Sequence, residues 1–78
     1  MKTVTIYSTP SCGYCNAAKA FFKEKGIAYT EYNVAAEPAR RAEMIEKSGQ
    51  MGVPVIFIDA DMVIGFNKPK IQQLLGIA

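Results

Sequence analysis

Residues 2–34 run strand-like, helix-like, strand-like, and that order leaves few folds open. Lys2 to Ser8, "KTVTIYS", is β-branched and aromatic, with apolar residues alternating at Val4 and Ile6, as in a strand. Pro10 and Ser11 break it. From Cys12 or Gly13 to about Lys25, the apolar residues Ala17, Ala18, Phe21 and Phe22 recur at helical spacing, and Gly26 supplies the stop. Ile27 to Val34, "IAYTEYNV", reads as a second strand. A strand, a helix and a strand of these lengths make a βαβ unit, which demands parallel pairing and a right-handed crossover.

The rest of the chain extends that unit. Glu37-Pro38 starts a second helix, with proline at or near its first position. Ala42 and Ile45 are expected to face inward, and Ser48-Gly49 ends the helix. "VPVIFID", Val53 to Asp59, is almost wholly apolar and suits a central strand. Asp59 to Asp61 turns the chain, and Met62 to Ile64 returns as an antiparallel partner. Asn67 caps a last helix with Pro69 in its first turn. Ile71, Leu74 and Leu75 form its buried stripe, and Gly76 closes it. The predicted order is β-α-β-α-β-β-α, an α/β fold in a single domain over residues 1–78.

Half of the 78 residues are hydrophobic, enough for one core with a thin stability margin. The net charge is +2, and basic residues alternate with acidic ones, as in Lys23, Glu24 and Lys25, or Arg40, Arg41 and Glu43. That reads as solvated helix faces, not a nucleic-acid patch. No run approaches a membrane span, and "MKTVTIYS" is strand-like, without the apolar core of a signal peptide. The expected compartment is the cytoplasm, where a close cysteine pair is catalytic or metal-binding more often than structural.

The chain's two cysteines, Cys12 and Cys15, stand three residues apart where the first strand gives way to the first helix. Free backbone N–H groups and the positive end of the helix dipole gather there, and both favour a thiolate. Cys15 lies one turn further along the same face, within reach of Cys12. An exposed nucleophile beside a resolving thiol is what thiol–disulfide exchange requires. Half of a zinc site has the same spacing, but the chain has no histidine and no second cysteine pair, so four ligands would need a dimer or several carboxylates. As a purely structural disulfide the pair closes so short a loop that it adds only about 2 kcal/mol. Redox, metal and structural readings all remain open on spacing alone.

At this point the chain resembles the glutaredoxins, a branch of the thioredoxin superfamily. The resemblance covers essentially the whole chain and rests on "YSTPSCGYC", "SGQMGVPVIFID" and "IGFNKPKIQQLL". It implies a thioredoxin-like fold, a four-stranded mixed sheet flanked by three helices. It implies that Cys12 attacks a substrate disulfide to give a mixed disulfide, which Cys15 or an external thiol resolves. Tyr14 would flank the site, and Gln50 matches the family pattern. A cis peptide is implied between Val53 and Pro54, beside Cys12, with the Val53 backbone pairing with an extended substrate. Gly65 would let a ligand approach the backbone, and the amides of Phe66, Asn67 and Lys68 would form an anion-accepting helix start. The implied protein has no tightly bound cofactor and no metal, and takes glutathione as co-substrate.

Its departures from the family pattern fall on glutathione. Gly13 replaces a proline, Thr9 a lysine, and Met51-Gly52 an Arg-Thr pair. Ile64-Gly65 stands for Gly-Gly, and Asn67-Lys68 for an acidic pair. Glutathione presents two carboxylates and an ammonium, so lost cations and an added Lys68 weaken its capture. The expectation is a monomeric dithiol oxidoreductase for protein and small disulfides, weakly glutathione-dependent, reduced by thioredoxin reductase or glutathione. The Gly65-Phe66 sequence resembles that of NrdH-type redoxins, which use such a reductase. The alternative is a [2Fe–2S] cluster held between two subunits with glutathione as co-ligand.

Overall fold

A computed structural model describes residues 2–77 of the chain. Its elements are β1 (Val4–Ser8), α1 (Gly13–Glu24), β2 (Thr30–Asn33), α2 (Pro38–Ser48), β3 (Val55–Ile58), β4 (Asp61–Ile64) and α3 (Lys68–Leu75). The strands form one mixed sheet in the order β2-β1-β3-β4. β1 and β2 pair in parallel, as the βαβ unit requires, whereas β3 is antiparallel to both β1 and β4. Element order and sheet match the sequence-based expectation.

Alternation along the strands separates two apolar layers. Val4, Ile6, Ile56 and Ile58 meet Ala18, Phe21 and Phe22 of α1 and Ile71 of α3 on one face. Tyr7 and Val55 meet Val34 and Met44 of α2 on the other. Each fully buried side chain of this size contributes about 1.5–3 kcal/mol through removal from water. β2 is shorter than the predicted Ile27–Val34. The Ile27 amide donates to the Phe22 carbonyl at 2.8 Å and closes the end of α1, so pairing starts only at Thr30.

The inward face of α2 differs from expectation. Ala42 is exposed and Met44 is buried, with Ile45 half-buried. Polar residues set this orientation. The Tyr7 hydroxyl donates to the Glu43 carboxylate, and the Arg40 guanidinium lies 4.0 Å from the Tyr32 ring centre. Arg40 also pairs with Glu43 at 3.1 Å. Positions 40, 43 and 44 share one helical face, which turns Ala42 outward. Ala17 of α1 is likewise exposed, while Cys15, Ala18, Phe21 and Phe22 point into the core.

Candidate active site

Cys12 is the N-cap of α1, in extended geometry at φ −84° and ψ 113°. Its amide donates back to the Thr9 carbonyl at 3.3 Å, closing the turn that follows β1. Its sulfur takes the place of the usual capping oxygen and accepts from the Cys15 amide at 3.1 Å. The Cys12 thiol in turn reaches the Val53 carbonyl at 3.8 Å. The Val53-Pro54 peptide is cis. The structure therefore brings Cys12, Cys15, Val53 and Pro54 together, with Cys12 half-buried at the surface and Cys15 fully buried beneath it.

Burial separates the chemistry of the two thiols. It pushes the Cys15 thiol up to about 12, and the hydrogen bond to Cys12 adds to the effect. At neutral pH Cys15 is a thiol covered by the protein, and Cys12 is the sulfur of the pair left at the surface.

Three large apolar side chains stay exposed on the segments next to Cys12 and the Val53-Pro54 bond. Tyr14, Met51 and Ile64 are the large hydrophobic side chains left exposed among the described residues, at 72, 61 and 50 %. Tyr14 follows Cys12 by two residues. Met51 lies on the loop before Val53, and Ile64 is the cross-strand partner of Val55. Gly65 continues from Ile64 and donates its amide to the Pro54 carbonyl at 2.8 Å. Its φ of +79° is a backbone state that only glycine adopts without strain.

A groove of about 290 Å³ opens beside the loop, lined by Thr9, Val34, Ala35, Arg41, Met51 and Val53. Arg41 is a residue that the sequence reading assigned to a solvated helix face. Arg40 packs on Tyr32, and that leaves its neighbour Arg41 to supply the groove's cation. The Arg-Arg pair at the start of α2 was the only signal in the sequence.

Gln50 is engaged within the loop. Its side-chain amide donates to the Gly52 carbonyl at 2.9 Å, and its Oε1 accepts from the Gly52 amide at 2.6 Å. A Cβ at Gly52 would lie 2.7 Å from that oxygen, so glycine there is what permits the clasp. Phe66 packs into the core, 6.0 Å from Phe21 between ring centres. Asn67 caps α3 through the Lys70 amide at 3.4 Å, and the Lys68 ammonium sits 5.3 Å from the Phe21 ring centre. Among the described residues no three cysteine or carboxylate side chains converge in a way that would hold a metal ion.

Comparison with known proteins gives the chain's family and fold. The family model described as Glutaredoxin matches residues 4–63. A glutaredoxin-like 8.6 kDa protein in the rubredoxin operon of Clostridium pasteurianum is 44% identical over 72 residues, 92% of this chain and 96% of that protein. Glutaredoxin 3 of Escherichia coli K12 is 43% identical over 65 residues, 83% of this chain and 78% of its own. The structure of the glutaredoxin-like NrdH-redoxin of Escherichia coli, described as having a thioredoxin-like activity profile, superposes with a TM-score of 0.80. It is 28% identical and covers 92% of this chain and 93% of that one.

Proposed function

Because the chain belongs to the glutaredoxin family, and so is a thiol–disulfide oxidoreductase, we propose that it reduces protein and small disulfides through Cys12 and Cys15. The observation that carries this reading is the juxtaposition of Cys12 sulfur with the Cys15 amide and the Val53 carbonyl. Cys12 attacks one sulfur of the substrate disulfide, and the other leaves as a thiolate that takes up a proton. Cys15 then loses its proton and attacks the Cys12 sulfur. The second substrate thiol leaves, and a Cys12–Cys15 disulfide remains. Two electrons pass from the protein to the substrate, and an external donor restores the dithiol.

Glutathione is the co-substrate of the family. For this chain we infer weak dependence on it. Arg41 supplies one cation in the groove, but positions 9 and 51 carry threonine and methionine, and Lys68 opposes an ammonium. At about 0.5–2 kcal/mol for each missing polar or ionic contact, two losses weaken binding by roughly one to three orders of magnitude. The apolar rim of Tyr14, Met51 and Ile64 supports protein disulfides as clients. In this reading the protein is a single-domain monomer of the reducing cytoplasm, with thioredoxin reductase as its main donor. Among the described residues no helix is long and apolar enough to cross a membrane.

A donor comparison tests the reading. Disulfide reduction is followed with NADPH and thioredoxin reductase, and separately with glutathione and glutathione reductase. Faster turnover in the first system is expected. Brisk turnover confined to the second refutes the donor assignment. A brown dimer after anaerobic purification would identify a [2Fe–2S] carrier instead.

A further inference from the structure

The buried Cys15 has to give up a proton before it can resolve the mixed disulfide, and no acid or base of the site described above assists it. A cluster outside that site lies within one helical turn. Lys19 is four residues after Cys15, on the same face of α1, and helix side chains lean back toward the preceding turn. Its ammonium is clamped at 2.7 Å by Glu31 of β2. The same carboxylate oxygen accepts from the hydroxyl of Ser8 at 2.8 Å. Ser8 is completely buried at the end of β1, next to Thr9 in the turn that carries Cys12. Three elements thus converge to hold one cation a single helical turn beyond Cys15.

We propose that Lys19 is a positioning residue for the resolving step, a fixed positive charge, tethered by Glu31 and Ser8, that favours ionisation of Cys15 as it attacks Cys12. The proposal rests on the dithiol mechanism above and adds what makes its second half fast. The charges facing the cluster are few. Cys15 faces Cys12, the backbone of Thr9 and Lys19. Lys19 faces Glu31, Tyr29 and Cys15, and Glu31 faces Lys23 as well. The Glu31 bond raises Lys19 above its ordinary range, and the Lys19 bond lowers Glu31, so both stay charged wherever the enzyme works. Lys19 therefore acts as a constant charge and not as the proton acceptor. The Cys15 proton leaves with solvent or with the departing thiolate. Formation of the mixed disulfide removes the hydrogen bond and the charge of Cys12 that oppose Cys15 ionisation, while the Thr9 backbone bond and, after it, Lys19, which both favour it, remain.

The test is single-turnover reduction of dithiodipyridine by the reduced full-length protein. The two halves of this uncharged probe leave as thiones followed by their ultraviolet absorption, one at Cys12 attack and one at Cys15 attack. Lys19→Gln is expected to leave the first release unchanged, slow the second about tenfold, and move its pH profile upward by about one unit. Lys19→Arg should restore the second release, and Glu31→Gln should slow it by a smaller factor. An unaltered second release and pH profile in Lys19→Gln overturn the proposal. So does equal slowing of both releases, which marks a structural role. If the wild type gives no second release, the dithiol mechanism itself fails, and this inference with it.

Discussion

Alkylation offers a direct measure of how differently the two thiols are placed. Burial and the bond to Cys12 take Cys15 from 9.0 to about 12. Three pH units mean about a thousandfold less thiolate than an ordinary cysteine supplies, and at pH 7 only about one Cys15 in 10⁵ is ionised. Because the thiolate is the species that reacts, Cys15 in the native, reduced protein should label with iodoacetamide at least about a thousandfold more slowly than a thiol in a small peptide. Cys12 is half-buried and reachable by the reagent. The assay is a time course at pH 7 with peptide mapping by mass spectrometry. A single adduct on Cys12 is expected, and a second only when denaturant is added. The Cys15 rate should also climb about tenfold per pH unit until the fold gives way. Labelling of both cysteines at rates within tenfold of each other would refute the reasoning, because it would mean that Cys15 is neither covered nor held as a thiol.

Three further outcomes follow from other parts of the structure. Arg41→Ala should raise KM for glutathione by up to about fivefold with little change in kcat, since it removes an exposed cation from the groove; an unchanged KM would exclude the groove from binding. Ile56→Ala empties a fully buried central-strand position and should cost about 2–5 kcal/mol in urea unfolding. A loss below about 1 kcal/mol would contradict the packing described. Stability should fall as pH rises from about 9 toward 12, because Cys15 and Tyr7, raised to about 12 from 9.0 and 10.0, keep protons that the unfolded chain releases. Each contributes fully below its unfolded value and loses at most about 1.4 kcal/mol per pH unit above it; thermal midpoints that stay level through about pH 11 would disprove this.

The parts of the fold governed by apolar periodicity were legible in the chain. Val4 and Ile6 marked β1, Phe21 and Phe22 marked the face of α1, and "VPVIFID" marked the central strand. The orientation of α2 was not legible. Arg40 and Glu43 dock it through tyrosine partners on β1 and β2, and a hydrophobic pattern gives no weight to such residues. Arg41 escaped notice for the same reason, since its place in the groove depends on where Arg40 goes. The thiol pair at the start of α1 could be read from spacing, but the cis bond at Pro54 and its position beside Cys12 rested on resemblance alone. The Lys19–Glu31–Ser8 cluster needed the fold, since it joins residues from three elements.

The division of the sheet into two faces has a mechanical consequence. The thiols stand at the start of α1, which grips the isoleucines of its side through phenylalanine and alanine. The wall carrying Arg41 belongs to α2, fastened by a buried methionine, a half-buried isoleucine and a handful of polar latches. Brief local opening should therefore begin on the side of the groove, while the two cysteine sulfurs stay fixed. A redoxin that docks its clients there as proposed would fit different shapes by yielding at the cradle and not at the blade.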